Sequence, residues 1–394
     1  MDSGTRGPSR MQSNSALQTH PSDAASKIGS MRIYIPEEDK AWILERFSHI
    51  LDSRILTNGK FCADLEKELG SYLGVKHVVA TNSGTGALEA MIEAHELKGD
   101  VVVTPETFAA TIYAIQRAGC RPVFADVGAD MSLDPDLAAK KTTKKTKALM
   151  TVHIGGHISP RVWELKELAD RHGIPLFEDS AHAIGSKLND RYAGTIGSSS
   201  GFSFFPTKVI GTAEGGFIAT NDNEVAENAQ LLRDQGKKVG NLCVVKGYNW
   251  RMSEFQAVIA LSQLRRLDQF IARRNEIAKV YSQLLGSKPF QDRIKELPIP
   301  KGARPNWYKF IAFLQGVDRG SLKAKLKEKS IEMSGEVYEV PCHTQPAFED
   351  LGYKEGDFPV TERVCKSHVC FPLMASLTDA QVHYFCNMLP GCLA

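Results

Sequence analysis

Residues 148–182 have the sequence ALMTVHIGGHISPRVWELKELADRHGIPLFEDSAH. Two short apolar runs, 148–152 and 174–177, flank a stretch with helical spacing over 160–172. The runs are almost continuously apolar instead of alternating, which is typical of parallel strands covered on both faces. Strand, helix and strand in this order predict an α/β core.

The same alternation extends in both directions from this stretch. Two helical patterns, over 37–51 and 63–73, precede the first predicted strand, and a long helical stretch over 253–285 links the core to the C-terminal part. Further strands are predicted at 77–80, 101–103, 122–125, 201–205 and 216–219, with helices at 86–97 and 108–118.

Length and composition give the domain organisation. The 394 residues suffice for two domains, since domains typically hold about 100–200 residues. Residues 1–30 are rich in Ser, Gly, Thr and Gln and predict a disordered tail. We expect a large domain over 31–270 and a smaller one over 271–394.

Charge and cysteine usage exclude several classes of function. A net charge of +2 provides no field that would attract nucleic acid or anionic membranes. The basic run over 140–147 is interpreted as a solvated helix end before a buried strand, against the alternative of a phosphate-binding patch. The eight cysteines have no metal-ligand spacing, and no signal peptide or membrane-spanning run is evident, so we expect no metal and a cytoplasmic protein with free thiols.

A turn of small residues follows the strand at 77–80. It comprises Thr81-Asn82-Ser83-Gly84-Thr85-Gly86 and opens the next helix. Backbone N–H groups at such a helix start bind anions, phosphate among them. The alternative is a simple N-cap made by Ser83 or Thr85.

Asp179 ends the strand that begins at residue 174. The carboxyl ends of parallel strands are where α/β proteins place their ligands, and a buried carboxylate there needs a cationic partner. The ring nitrogen of pyridoxal phosphate would be such a partner. The alternative is an Asp that caps the next turn, and His182 is either a ligand of the ring hydroxyl or a structural histidine.

Lys208 follows the apolar stretch Phe202-Ser-Phe-Phe-Pro-Thr207. Partial desolvation lowers the pKa of a lysine and leaves a neutral amine that can attack an aldehyde. An ordinary exposed cation is the alternative. An anion-binding turn, a strand-end Asp and this Lys, in that order on an α/β frame, favour the functional interpretation.

Six motifs in these and neighbouring segments resemble the DegT/DnrJ/StrS family of pyridoxal-phosphate sugar aminotransferases, over residues 31–390. The motifs are Asn82-Ser-Gly-Thr85, Thr104-Pro-Glu-Thr-Phe108, Glu178-Asp-Ser-Ala-His182, Phe202-Ser-Phe-Phe-Pro-Thr-Lys208, Glu214-Gly-Gly216 and Gly247-Tyr-Asn-Trp-Arg-Met252. The resemblance implies the aspartate aminotransferase fold, fold type I. Its large domain has a mostly parallel mixed sheet flanked by helices, and its C-terminal domain is smaller and α+β.

The resemblance also assigns roles to individual residues. Lys208 matches the Schiff-base lysine and proton shuttle, Asp179 the acid that faces the ring nitrogen, and His182 a position near the ring 3-hydroxyl. The other matched positions contact the cofactor: Phe108 by stacking on its ring, and Ser83, Gly84, Thr85, Ser203 and Asn249 at its phosphate. Asn249 matches a residue that comes from the second subunit, which implies a homodimer with a shared active site.

The activity implied is transfer of an amino group from an amino acid, L-glutamate by resemblance, to a nucleotide-linked keto-sugar. A keto-cyclitol acceptor remains open, as does a non-catalytic regulator that binds the cofactor. A cysteine desulfurase on the same fold is disfavoured because Thr207 occupies the place of its usual histidine. His343 lies in a segment that resembles a loop at the substrate entrance, or is part of an ordinary turn.

Overall fold

The computed structural model describes residues 27–29 and 31–393. Its α-helices are α1 (Glu37–Ser53), α2 (Lys60–Leu73), α3 (Gly84–Ala94), α4 (Ala109–Arg117), α5 (Pro135–Lys141), α6 (Val162–His172), α7 (Asn223–Arg233), α8 (Glu254–Leu285), α9 (Arg319–Glu328), α10 (Pro359–Ser367) and α11 (Asp379–Cys392). Its strands are β1 (His77–Thr81), β2 (Asp100–Val103), β3 (Arg121–Phe124), β4 (Thr146–Val152), β5 (Leu176–Asp179), β6 (Lys187–Leu188), β7 (Arg191–Tyr192), β8 (Ser199–Ser203), β9 (Gly216–Thr220), β10 (Lys237–Val239), β11 (Leu242–Cys243), β12 (Ile294–Glu296), β13 (Ala303–Arg304), β14 (Phe310–Leu314) and β15 (His368–Phe371).

A seven-stranded sheet forms the centre of the molecule, in the order β1-β9-β8-β5-β4-β2-β3. The run from β8 to β3 is parallel, and β9 pairs antiparallel with both β8 and β1. All positions of β2, β5 and β9 are buried, as expected for strands covered on both faces. The predicted α/β core with a mostly parallel mixed sheet is confirmed.

The carboxyl ends of β1, β5 and β8 meet at one edge of this sheet. Asp179 is the last residue of β5 and lies opposite Val152 on β4, while Ser203 is the last residue of β8. The helix that follows β1 also begins at this edge, at Gly84. The fold therefore brings the three predicted site segments, which follow β1, β5 and β8, to the same edge of the sheet.

Capping fixes the ends of several helices. The Ser253 side chain and the Gln256 side chain form a reciprocal capping box at the start of α8. Asp134 caps α5, whose last turn holds Lys140 and Lys141 before β4 begins at Thr146. The basic run is thus a helix end followed by a buried strand, as interpreted from the sequence.

The C-terminal part packs around a second sheet, β12-β14-β15, which is antiparallel throughout. Its core holds a cluster of aromatic rings comprising Tyr281, Phe310, Phe371 and Phe385. Helix α8 contributes to the core of the large sheet up to Ile271 and to this second core from Ile277. The boundary predicted at residue 270 lies inside this helix and stays a prediction.

The tail predicted over residues 1–30 lies mostly outside the described residues. Within it, Ile28 is buried and forms a parallel bridge with Ile331, which corrects the prediction for residues 27–29. Among the described residues, no helix combines the length and the apolar character needed to cross a membrane.

Candidate active site

A cavity of about 310 Å³ opens at the sheet edge where β5 and β8 end. Its size is at the lower end of the roughly 300–1,000 Å³ that is usual for small-ligand sites. The residues that line it are Ser83, Gly84, Thr85, Leu88, Phe108, Ala110, Thr111, Asp179, Ala181, His182, Ser203, Phe205, Thr207, Lys208, Glu214, Tyr308, Lys309, Glu336, Val337 and Tyr338.

Lys208 projects into this cavity from the loop between β8 and β9. Its backbone N–H donates to the carbonyl of Phe205 in a tight turn, and its Nζ lies 4.8 Å from the centre of the Tyr308 ring. Burial lowers the pKa of Lys208 to about 7, against the opposing effect of Asp179, and Lys309 lowers it further. The neutral, nucleophilic amine is therefore accessible near neutral pH.

Asp179 faces the same cavity from the end of β5. Its Oδ2 accepts a hydrogen bond from the Thr111 hydroxyl at 2.7 Å, and its Oδ1 accepts one from the Ala181 N–H at 3.1 Å. Burial raises the pKa of Asp179, and these two hydrogen bonds together with Lys208 only partly oppose it. A cation placed beside this carboxylate would therefore stabilise its ionised form.

His182 is held as a neutral imidazole. The Gly155 N–H donates to its Nδ1 at 3.3 Å, which leaves the ring proton on Nε2, 3.5 Å from the Tyr338 hydroxyl. Burial lowers the pKa of His182 well below its usual value, and the cations of Lys208 and Lys309 add to this effect. The Nε2–H of His182 is therefore available as a hydrogen-bond donor to a ligand in the cavity.

The turn at Ser83 also lines the cavity. The Ser83 hydroxyl accepts from the Gly86 N–H at 3.0 Å and so caps α3, which confirms the N-cap interpretation. The same turn lines the cavity, so the cap and a role in anion binding are compatible. Gly216 passes so close that a Cβ there would lie 2.7 Å from the Ser83 carbonyl oxygen, which explains the glycine.

Most of the residues predicted for the site are brought together here, but Asn249 and His343 are not among the lining residues. Asn249 is exposed, and its carbonyl accepts from the Asn82 side chain at 3.0 Å. His343 is buried with Nε2 3.0 Å from Glu362 and its ring against Phe358. The surroundings of His343 favour the alternative interpretation, an ordinary turn, over substrate contact.

Other lining residues were not predicted from the sequence, among them Thr111, Tyr308, Lys309, Glu336 and Tyr338. The available signal was Lys309, a charged residue set between Tyr308 and the apolar strand β14. Its approach to Lys208 and Asp179 could not be predicted locally, because those residues lie more than 100 positions away along the chain.

Comparison with known proteins gives the family. A family model, described as the DegT/DnrJ/EryC1/StrS aminotransferase family, matches residues 37–390. The chain belongs to this family. A dTDP-3-amino-3,4,6-trideoxy-alpha-D-glucose transaminase of Micromonospora megalomicea subsp. nigra is 35% identical over 347 residues, covering 86% of this chain and 92% of that protein. A pleiotropic regulatory protein of Geobacillus stearothermophilus is 33% identical over 354 residues, with 88% and 93% covered.

Solved structures agree with this assignment. The DesV structure of S. venezuelae, in complex with a ketimine intermediate, superposes with a TM-score of 0.86 at 29% identity, covering 93% of this chain and all of that one. Enzymes of the DegT/DnrJ/EryC1/StrS family depend on pyridoxal phosphate. The chain is therefore a pyridoxal-phosphate-dependent aminotransferase, and its relatives include nucleotide-sugar aminotransferases.

The residues of the cavity fit this cofactor. The amine of Lys208 and the carboxylate of Asp179 share one cavity, as an aldehyde and a protonated ring nitrogen on the same ring require. The N-terminus of α3 with Ser83, Thr85 and Ser203 offers N–H and hydroxyl donors for a phosphate.

Proposed function

We propose that this aminotransferase moves an amino group from L-glutamate to a nucleotide-linked keto-sugar, in the biosynthesis of an amino sugar. The observation that carries the proposal is the shared cavity of Lys208 and Asp179, at the sheet edge where the phosphate-binding turn also lies. The sugar and the nucleotide carrier are supported by the relatives, one of which is named a dTDP-sugar transaminase.

When bound, pyridoxal phosphate supplies an aldehyde that takes up the donor amine and a ring that withdraws electrons from the carbon that loses its proton. Lys208 would hold the cofactor covalently through Nζ and would act as the base that takes and returns that proton. Its pKa of about 7 suits both tasks near neutral pH. Asp179 keeps the ring nitrogen protonated, and the Nε2–H of His182 orients the ring oxygen.

We propose that Phe108 stacks on the ring and that Ser83, Gly84, Thr85 and Ser203 bind the phosphate. The position of Phe108 supports the stacking role. Phe108 lines the cavity, its ring centre lies 6.4 Å from that of Tyr338, and 62% of the residue is exposed. Such an exposed aromatic residue at the mouth of a cavity is available to a ligand or to a second chain.

A homodimer with shared active sites is part of the proposal. The hairpin of β10 and β11 carries four exposed apolar residues, Val239, Leu242, Val244 and Val245, and Val239 is 73% exposed. Asn249 follows this hairpin and is itself exposed, as a phosphate contact donated to a second copy must be. Light scattering on the purified protein tests the dimer.

The decisive experiment follows the cofactor absorbance of the purified protein. Addition of L-glutamate should move the visible band to shorter wavelength, and a nucleotide-linked keto-sugar should restore it. Lys208→Ala should lower kcat by about 10⁴-fold or more, since general acid–base groups contribute roughly 10²–10⁴-fold and the covalent anchor is lost as well. Exposed Lys366→Ala, remote from the cavity, is the control.

A set of candidate acceptors distinguishes a keto-sugar acceptor from a keto-cyclitol acceptor. Restoration of the band by a keto-inositol but by no nucleotide-linked keto-sugar would replace the sugar by a cyclitol. A band that no amino acid moves would favour a cofactor-binding regulator; the Geobacillus relative is named a pleiotropic regulatory protein.

A further inference from the structure

Lys309 is a second buried lysine in the cavity, and the roles proposed above leave it unused. It directly precedes β14 and is 7% exposed. Its Nζ donates to the Ser334 carbonyl and lies 5.4 Å from the centre of the Tyr308 ring. The Lys208 amine lies 4.8 Å from the centre of the same ring, so both amines border one aromatic side chain.

No carboxylate of the described residues forms an ion pair with Lys309. Glu336 lines the same cavity, but Lys323 binds its carboxylate at 2.9 Å and Arg319 lies 3.8 Å away. The charge of Glu336 is therefore compensated by cations that do not line the cavity. A buried ammonium without an anionic partner is costly, and burial accordingly lowers the pKa of Lys309.

Besides the two lysines and Glu336, the charged residues that line the cavity are Glu214, which is exposed to solvent, and Asp179. Asp179 is committed to the ring nitrogen, and the phosphate is proposed to bind at Ser83 and Ser203. The Lys309 N–H donates to the carbonyl of Gly155 at 3.0 Å, and the N–H of the same glycine donates to His182, so Lys309 lies on the His182 side of the cavity. An anion bound there would neighbour both His182 and the atom that reacts with Lys208.

We propose that Lys309 binds the α-carboxylate of the amino-acid donor and so selects α-amino acids over amines that lack this carboxylate. The donor must bring its amine to the place of the Lys208 amine, and its α-carboxylate is two bonds from that nitrogen. A carboxylate on an ammonium gives a charge-assisted hydrogen bond in a site sheltered from water. The inference rests on the proposed donor half-reaction; an anionic nucleotide carrier of the acceptor is the competing ligand.

The test compares Lys309→Met with the wild type in the donor half-reaction. The substrates are L-glutamate and L-isoglutamine, in which the α-carboxylate is an amide. We expect Lys309→Met to weaken the apparent affinity for glutamate by about tenfold to a hundredfold, the range for a hydrogen bond to a charged group. The limiting rate should change less, isoglutamine should bind as before, and Lys309→Arg should restore much of the affinity for glutamate.

Lys187→Met is the matched control, because the Lys187 amine also lies over a tyrosine ring, 4.2 Å from the centre of Tyr192, but outside the cavity. It should leave glutamate binding unchanged. Equal losses for glutamate and isoglutamine in Lys309→Met would overturn the proposal, as would a loss confined to the nucleotide-linked acceptor.

Calorimetric titration of glutarate into the cofactor-loaded protein separates this inference from the proposed function. Glutarate has the carboxylates of glutamate but no amine, so its binding needs no turnover. We expect wild type and Lys187→Met to bind it and Lys309→Met to bind it at least about tenfold more weakly. An unchanged affinity in Lys309→Met overturns the role of Lys309 even if transamination is observed. Absence of any reaction with glutamate would instead contradict the proposed function.

Discussion

Glu178 and Asp179 are neighbours on β5, but the two faces of the sheet provide their carboxylates with different numbers of hydrogen-bond donors. Successive side chains of a strand point to opposite faces. The carboxylate of Glu178 is fully enclosed and accepts four hydrogen bonds, from His153 at 2.7 Å and from the N–H groups of Gly194 at 2.7 Å, Ile196 at 2.7 Å and Gly197 at 2.6 Å. Asp179 accepts two and opens on the cavity.

The difference separates a structural charge from a charge available to a ligand. Burial alone would raise the pKa of Glu178, but its hydrogen bonds outweigh burial and hold that pKa below the usual value. For Asp179 burial prevails and the pKa is raised. The ionised form of Glu178 is thus satisfied by the fold itself, whereas that of Asp179 is left for a cationic ligand to stabilise.

Glu178→Gln should have the largest effect on folding. The amide nitrogen of the glutamine would face N–H donors, and each buried donor left without an acceptor costs about 1–3 kcal/mol. Urea unfolding of the apoprotein should show this loss at pH 7. Because the folded pKa of Glu178 is lowered, its contribution is present above the unfolded pKa and lost as pH falls through the folded one, so the penalty should shrink in acid.

Glu227→Gln, on the exposed side of α7, is the control and should leave the unfolding midpoint in place. A penalty below about 1 kcal/mol for Glu178→Gln, the size of a single neutral hydrogen bond, would show that the four donors do not act as a buried charge site.

Asp179→Asn should reverse the pattern. We expect the stability of the apoprotein to change by about 1 kcal/mol or less, the size of one hydrogen bond. Since the folded pKa of Asp179 is raised, the wild type loses stability as pH rises through that pKa and the variant does not, so the two should converge or cross toward neutral pH. Urea unfolding at several pH values measures this.

The cost of Asp179→Asn should instead appear in cofactor binding. Loss of a hydrogen bond between charged groups should weaken the affinity for pyridoxal phosphate by about tenfold to a hundredfold, measured by absorbance titration. If Asp179→Asn destabilises the apoprotein as much as Glu178→Gln does, the contrast between the two faces is wrong.

The sequence was sufficient to place Asp179 and Lys208, because strand ends and an apolar loop are local features. The alternation of strand side chains also implies that Glu178 faces away from Asp179. The hydrogen-bond donors of Glu178 on the other face could not be predicted locally. Gly194, Ile196 and Gly197 form a loop whose N–H groups converge on its carboxylate only in the folded chain. Lys309 directly precedes β14, far from Asp179 along the chain, and no pattern around Asp179 predicts that the two lie near each other.

Thr111→Val should produce the smallest effect of these substitutions, and it tests the contrast between Glu178 and Asp179 most directly. The Thr111 hydroxyl, fully buried on α4, donates to Asp179 at 2.7 Å and is the side-chain donor that the fold provides for that carboxylate. Its removal should raise the pKa of Asp179 further and weaken cofactor affinity by about 1 kcal/mol, roughly fivefold, with the plateau of affinity reached at higher pH. Thr111→Ser keeps the hydroxyl and should bind the cofactor as the wild type does; equal losses in both variants would assign the effect to packing. A fivefold loss in Thr111→Val alone would mean that the acidity of Asp179 is set by how few donors face it, since Glu178, one residue away with four donors, needs no ligand at all.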